Sequence, residues 1–127
     1  MDQVVSPPPR LEGTVIPPGD KSISQRALIL NAIATGSAHV SNPCVGDDRT
    51  SVLRCLRGLG VRITDRPICD LHGGAECFEI QGRGPRGLTE PARILHAGNS
   101  GTTMRLMTGL LAAQPFFSVI TGDRSLK

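Results

Sequence analysis

The chain has 127 residues, 39% of them hydrophobic, with a net charge of +3 and three aromatic residues, Phe78, Phe116 and Phe117. That length suits one domain with a core of Leu, Ile, Val and Ala, and the composition excludes a disordered chain. The small charge and the shortage of rings to stack on bases argue against nucleic acid as a partner, and no apolar run is long enough to span a membrane. The four cysteines, Cys44, Cys55, Cys69 and Cys77, form no C-x-x-C pair and follow no secretory leader. They read as free thiols in a reducing, cytoplasmic compartment. Cys69, His72 and Cys77 match no standard zinc spacing, so no metal is expected.

Residues 1–10 contain Pro7-Pro8-Pro9 and read as a mobile lead-in to a domain over residues 11–127. Leu11 to Ile16 reads as a short strand closed by Pro17-Pro18. A helix follows, with Ile23, Ala27, Leu28, Leu30 and Ile33 at helical spacing, Asp20 or Ser22 as N-cap, and Thr35-Gly36 as its stop. Ala38 to Ser41 is a strand ended by Asn42-Pro43. Asp47-Asp48 then cap a second helix with Leu53, Leu56 and Leu59 on one stripe and Gly60 at its end. Val61 to Thr64 is a strand, and Asp70-Leu71-His72 pairs with Cys77 to Gln81 around Gly73-Gly74. Gly82 to Gly87 is a loop. It matches G-x-G-x-x-G formally, but Pro85 and Gly87 do not open a helix, so a dinucleotide site is rejected. Ala92 to His96 is a short strand, Ser100 to Ala113 a third helix and Phe116 to Thr121 a last strand. The whole reads as an α/β chain.

The chemistry gathers at two helix starts. Lys21 sits where backbone N–H groups already carry partial positive charge, a poor place for a lysine unless an anion binds there. Ser22 and Arg26, four residues apart, share one face of that helix. Ammonium, hydroxyl, guanidinium and free N–H groups together have the composition of a carboxylate or phosphate pocket. A hydrogen bond to a charged group contributes roughly 1.5–3 kcal/mol and a helix end roughly 0.3–1 kcal/mol, so Lys21 and Arg26 would carry most of the affinity. Taken alone, these residues also fit an ordinary solvated first turn. A weak internal repeat adds to them: Gly19-Asp20 slides onto Gly98-Asn99, which sets Arg26 on Arg105. Ala97 to Arg105 is then a second helix start, with Gly98 and Gly101 leaving backbone open and Asn99 adding an amide. Two such starts in one repeated unit suggest a module that turns both toward one cleft.

These residues carry a resemblance. Pro18-Gly19-Asp20-Lys21-Ser22-Ile23-Ser24-Gln25-Arg26-Ala27 and Ala97-Gly98-Asn99-Ser100-Gly101-Thr102-Thr103-Met104-Arg105-Leu106 resemble the two N-terminal signatures of the 3-phosphoshikimate 1-carboxyvinyltransferases, the EPSP synthases. Thr121 to Lys127 resembles the start of a third. The resemblance implies the two-domain enolpyruvyl transferase fold of repeated βαβαββ units with pseudo-threefold symmetry. It also implies transfer of the enolpyruvyl group of phosphoenolpyruvate to the 5-hydroxyl of shikimate 3-phosphate, in aromatic amino acid biosynthesis. By position, Lys21 matches the lysine that reaches both substrates and supports the chemistry. Ser22 and Arg26 match residues that hold shikimate 3-phosphate, and Asn99 and Gly101 match the phosphoenolpyruvate loop. The resemblance further implies no metal or organic cofactor, and a full-length protein that is monomeric and cytoplasmic.

The family's third signature goes on to an Arg-Pro that helps bind phosphoenolpyruvate, and Arg124 is not that arginine by register. The family's acid/base carboxylates and the rest of its two domains also lie beyond Lys127, and residues up to about Pro18 would sit on the other domain's side of a hinge. The chain therefore reads as an N-terminal fragment covering roughly one and a half of six repeated units, inactive alone and marginally stable or aggregated, with apolar faces uncovered. Two other readings are a relative of UDP-N-acetylglucosamine 1-carboxyvinyltransferase, against which Lys21-Ser22 argues because that enzyme carries Lys-Asn there, and a non-catalytic anion-binding remnant.

Overall fold

A computed structural model describes residue 4, residues 6–67 and residues 76–126. The elements run α1 (Lys21–Ala32), β1 (Thr35–Ser41), α2 (Asp47–Gly58), β2 (Arg62–Arg66), β3 (Cys77–Arg83), β4 (Leu95–His96), α3 (Gly101–Ala112) and β5 (Ile120–Thr121). β3 is the middle strand of an antiparallel sheet ordered β1-β3-β2, and β4 and β5 form a separate parallel pair. The chain is thus α/β, as its alternating periodicities imply.

The core lies between the three-stranded sheet and the helices. Leu28, Ile29 and Ala32 of α1 and Val52, Leu53 and Leu56 of α2 meet Val40, Phe78, Ile80 and Ile63 of the sheet, with Met107 and Leu111 closing the α3 side. The Leu53, Leu56 and Leu59 stripe is buried as its spacing requires, and Gly60 ends the helix at φ +82°. Such a backbone angle suits glycine because a Cβ would crowd the neighbouring carbonyl.

Several expectations need correction. Leu11 to Ile16 forms no strand, and Leu11, Val15 and Ile16 are more than four-fifths exposed. A strand is made by its neighbour's hydrogen bonds, and none of the described segments lies alongside this one. Gly82 and Arg83 continue β3, so the turn begins at Gly84 rather than at Gly82. β4 and β5 are two residues each, shorter than the sequence pattern suggested. Cys77 to Gln81 pairs with both β1 and β2, and the expected partner segment, Asp70 to His72, lies with Gly73, Gly74 and Cys69 outside the described residues. The N-cap of α2 is Gly46, with no side-chain cap, and Asp47 and Asp48 occupy the first turn. There they face the positive end of the helix dipole.

Apolar surface stays open on this unit: Ile23, Leu30, Ile94 and Phe117 are each more than 60% exposed. Cys44 and Cys55 are buried free thiols, and Cys77 is buried as well. No described helix is long and apolar enough to cross a membrane.

Candidate functional site

Asp20 caps α1 by accepting a hydrogen bond from the Ile23 amide at 2.7 Å, which settles the choice between Asp20 and Ser22. The tip is pinned to the loop before α2. The Ser24 hydroxyl donates to the Asp20 carbonyl at 2.6 Å and accepts from the Cys44 amide at 2.8 Å. Gly19 lies so close to that loop that a Cβ would come within 2.1 Å of the Asn42 carbonyl oxygen. The docking brings the first turn of α2 to Lys21, whose Nζ lies 2.8 Å from Asp48 Oδ2.

The start of α3 is built the same way. Ser100 is its N-cap and accepts from the Thr103 amide at 3.2 Å. Gly98, at φ +63°, would press a Cβ to 2.7 Å from Ser51 Oγ of α2, and its carbonyl accepts from the Asp123 amide at 2.8 Å. Both tips therefore rest on α2. They also touch directly: Gln25 Nε2 of α1 donates to Ser100 Oγ at 3.1 Å and to Thr103 Oγ1 at 3.2 Å. The two helix starts that the repeat singled out face one another across a buried contact.

Lys21, Arg26 and Asn99 are exposed, whereas Ser22 and Gly101 are half-buried. Among the described residues Arg26 makes no ion pair or side-chain hydrogen bond, so its charge is unspent. A Cβ at Gly101 would meet only the Leu126 side chain, at 3.8 Å, so space lies over that turn. Asn99 lines a polar cleft of about 250 Å³ with Asp47, Thr50, Ser51, Arg54, Gly98 and Asp123. The proposed equivalence of Arg26 and Arg105 needs a correction. The caps, Asp20 and Ser100, are 80 residues apart, one more than the repeat's register. One helical residue is a rotation of about 100°, so the two arginines point to different sides of their helices.

Sequence reasoning missed two members of this cluster, Asp48 as a partner of Lys21 and Gln25 as the bridge between tips. Burial pushes the Asp48 carboxyl up, but hydrogen bonds from Lys21 and Ser100 and the Lys21 charge outweigh it and hold the group below its ordinary value of 3.8. A carboxyl depressed in the folded state stabilises the fold fully above its unfolded value and loses that contribution as pH falls through the folded value. Unfolding in urea is therefore expected to show a loss of stability below about pH 4 that is smaller in Asp48→Asn. The difference should stay under about 1 kcal/mol because Lys21 is largely exposed to solvent.

A separate, more apolar pocket of about 350 Å³, lined by Cys55, Gly58, Ile94 and Leu95 among others, contains none of the expected site residues. Burial pushes the Cys55 thiol up, which leaves it a poor nucleophile. Among the described residues no cluster of three His, Cys, Asp or Glu side chains is placed to hold a metal.

Two glycine-bearing helix starts docked on one αβ layer define a segment of the enolpyruvyl transferase fold. A family model for EPSP synthase (3-phosphoshikimate 1-carboxyvinyltransferase) matches residues 5–127, and the chain belongs to that family. It is 50% identical over 120 residues to the 3-phosphoshikimate 1-carboxyvinyltransferase of Chloroflexus aurantiacus, covering 94% of this chain and 26% of that protein. Against the Desulforamulus reducens protein of the same name it is 48% identical over 127 residues, all of this chain and 28% of the relative. The solved EPSP synthase from Acinetobacter baumannii superposes with a TM-score of 0.74 at 44% identity, over 85% of this chain and 23% of that one. The chain thus spans about a quarter of the length of the curated relatives it matches.

Proposed function

We propose that this chain forms one wall of the substrate cleft of an enolpyruvyl transfer enzyme. In this reading the 5-hydroxyl of shikimate 3-phosphate adds to phosphoenolpyruvate, and the adduct collapses with loss of phosphate to 5-O-(1-carboxyvinyl)-3-phosphoshikimate. The observation that carries it is the direct contact between the two helix starts, Gln25 on Ser100 and Thr103, because it sets two anion-friendly tips side by side. Both substrates bear a carboxylate and a phosphate, which call for cations and open amides at neighbouring points.

Ser22 and Arg26 hold shikimate 3-phosphate, and Asn99 and Gly101 approach phosphoenolpyruvate. Lys21 reaches both. Its ammonium has three protons; one is committed to Asp48, and two remain for substrate oxygens. The same charge stabilises the anionic adduct as it forms and collapses. Residues 11–127 act as part of the N-terminal domain of the longer enzyme, which works as a cytoplasmic monomer without nucleic acid, membrane, metal or organic cofactor.

The test is calorimetric titration of a full-length family member carrying residues 1–127 of this chain in place of its own. Shikimate 3-phosphate is expected to bind, and phosphoenolpyruvate to bind in its presence. UDP-N-acetylglucosamine should give no heat; binding of that acceptor in preference to shikimate 3-phosphate would sink the assignment.

A further inference from the structure

Gln25 is fully buried, yet its Oε1 has no hydrogen-bond partner. Half a buried amide left unpaired is destabilising, and a methionine of similar size would fill the space without that cost. The other half explains the residue. Gln25 Nε2 spans two hydroxyls of α3, and those hydroxyls are themselves joined, Thr103 Oγ1 to Ser100 Oγ at 2.8 Å.

Ser100 Oγ meets three donors, the Thr103 amide at 3.2 Å, Gln25 Nε2 at 3.1 Å and the Thr103 hydroxyl at 2.8 Å, and a hydroxyl oxygen has two acceptor positions, so the three share them. Thr103 Oγ1 in turn accepts from Gln25 Nε2. The result is a buried bridge that ties α1, which carries Lys21, to the cap of α3. Hydrogen bonds in such a cluster polarise and strengthen one another.

We infer that this buried bridge sets the Asn99–Gly101 turn against the α1 tip that carries Lys21, with Gln25 and Thr103 as positioning residues that touch no substrate. The inference rests on the substrate assignment above and adds residues to it. Ser100 is both a partner of Gln25 and the N-cap of α3, flanked in sequence by Asn99 and Gly101. A shift of its side chain therefore moves the turn that approaches phosphoenolpyruvate, while Ser22 and Arg26 on α1 stay in place.

Thr103 offers a test in which packing and the hydroxyl bridge predict opposite orders. Thr103→Val keeps the volume and removes the hydroxyl; Thr103→Ser keeps the hydroxyl and removes a methyl group. In the full-length family member carrying residues 1–127, Thr103→Val is expected to raise the KM for phosphoenolpyruvate about tenfold and Thr103→Ser no more than about twofold. Neither should change the KM for shikimate 3-phosphate. Greater harm from Ser than from Val, or equal rises in both KM values, would overturn the bridge. Gln25→Met should cost less on top of Thr103→Val than it costs alone, because both variants remove the Gln25–Thr103 contact. Fully additive effects would count against the inference. If the parent protein binds neither substrate, the functional assignment fails, and melting temperatures still judge the bridge: Thr103→Ser above Thr103→Val supports it, and the reverse order refutes it.

Discussion

Lys21→Ala is expected to lower kcat/KM for enolpyruvyl transfer by about 10²–10³, the loss seen when one preorganised donor to a developing anion is removed. The effect should fall on kcat as well as on KM, since Lys21 would contact both substrates and the adduct between them. Arg26→Ala should act differently. Its guanidinium, unpaired among the described residues, would meet only the ground-state anion of shikimate 3-phosphate, so the KM for that substrate should rise about 10- to 100-fold with kcat little changed. A coupled phosphate-release assay on the full-length protein carrying residues 1–127 measures both. One side effect needs its own control: removing Lys21 strips Asp48 of its cation and places an uncompensated carboxylate beside the cleft. Lys21→Ala with Asp48→Asn removes that repulsion. If the double variant recovers nearly all activity, Lys21 serves to neutralise Asp48 and not to grip substrate. Unchanged uptake and product formation in Lys21→Ala with Arg26→Ala would end the anion-site reading altogether.

How far the sequence foretold this arrangement depends on whether a feature is local. Helix starts are local: Asp20 and Ser100 cap from within their own first turns, and both were readable in the chain. The buried stripe of α2 is equally local, because three leucines at helical spacing can point only one way. Leu11 to Ile16 marks the limit. Its composition suits a strand, but strands are completed by partners, and composition is silent about them. The Lys21–Asp48 pair was hidden for the same reason, since it arises only when Gly19 and Ser24 dock the α1 tip on the loop ahead of α2. Gln25 did leave a trace. It shares the buried face of α1 with Leu28, Ile29 and Ala32, and a polar residue in an apolar stripe implies a polar partner across the interface. The stripe could not say that the partner stood 75 residues away at the second anion-friendly helix start.

Gly19→Ala should be among the most damaging single-methyl changes this chain can suffer. The added carbon would lie 2.1 Å from the Asn42 carbonyl oxygen and 2.7 Å from the backbone of Pro43 and Cys44. None of those atoms can swing aside as a side chain could. The Asn42 amide is bonded to the Glu76 carbonyl at 2.9 Å, and the Cys44 amide is held by Ser24. The helix tip must therefore move off the loop, at a cost of about 1–3 kcal/mol or more. Moving the tip also carries Lys21 away from Asp48, so transfer activity should fall at temperatures where the protein is still folded. Gly109→Ala gives the comparison, because a Cβ there meets nothing within 4 Å and the site is an exposed turn of α3. That change should raise stability by about 0.5–1 kcal/mol through helix propensity alone. Thermal melts and phosphate-release rates of the two variants should consequently diverge in opposite directions from the parent. A Gly19→Ala protein that melts and turns over like its parent would mean that the α1 tip does not rest on the Asn42–Cys44 loop, and the approach of Lys21 to Asp48 would lose its structural cause.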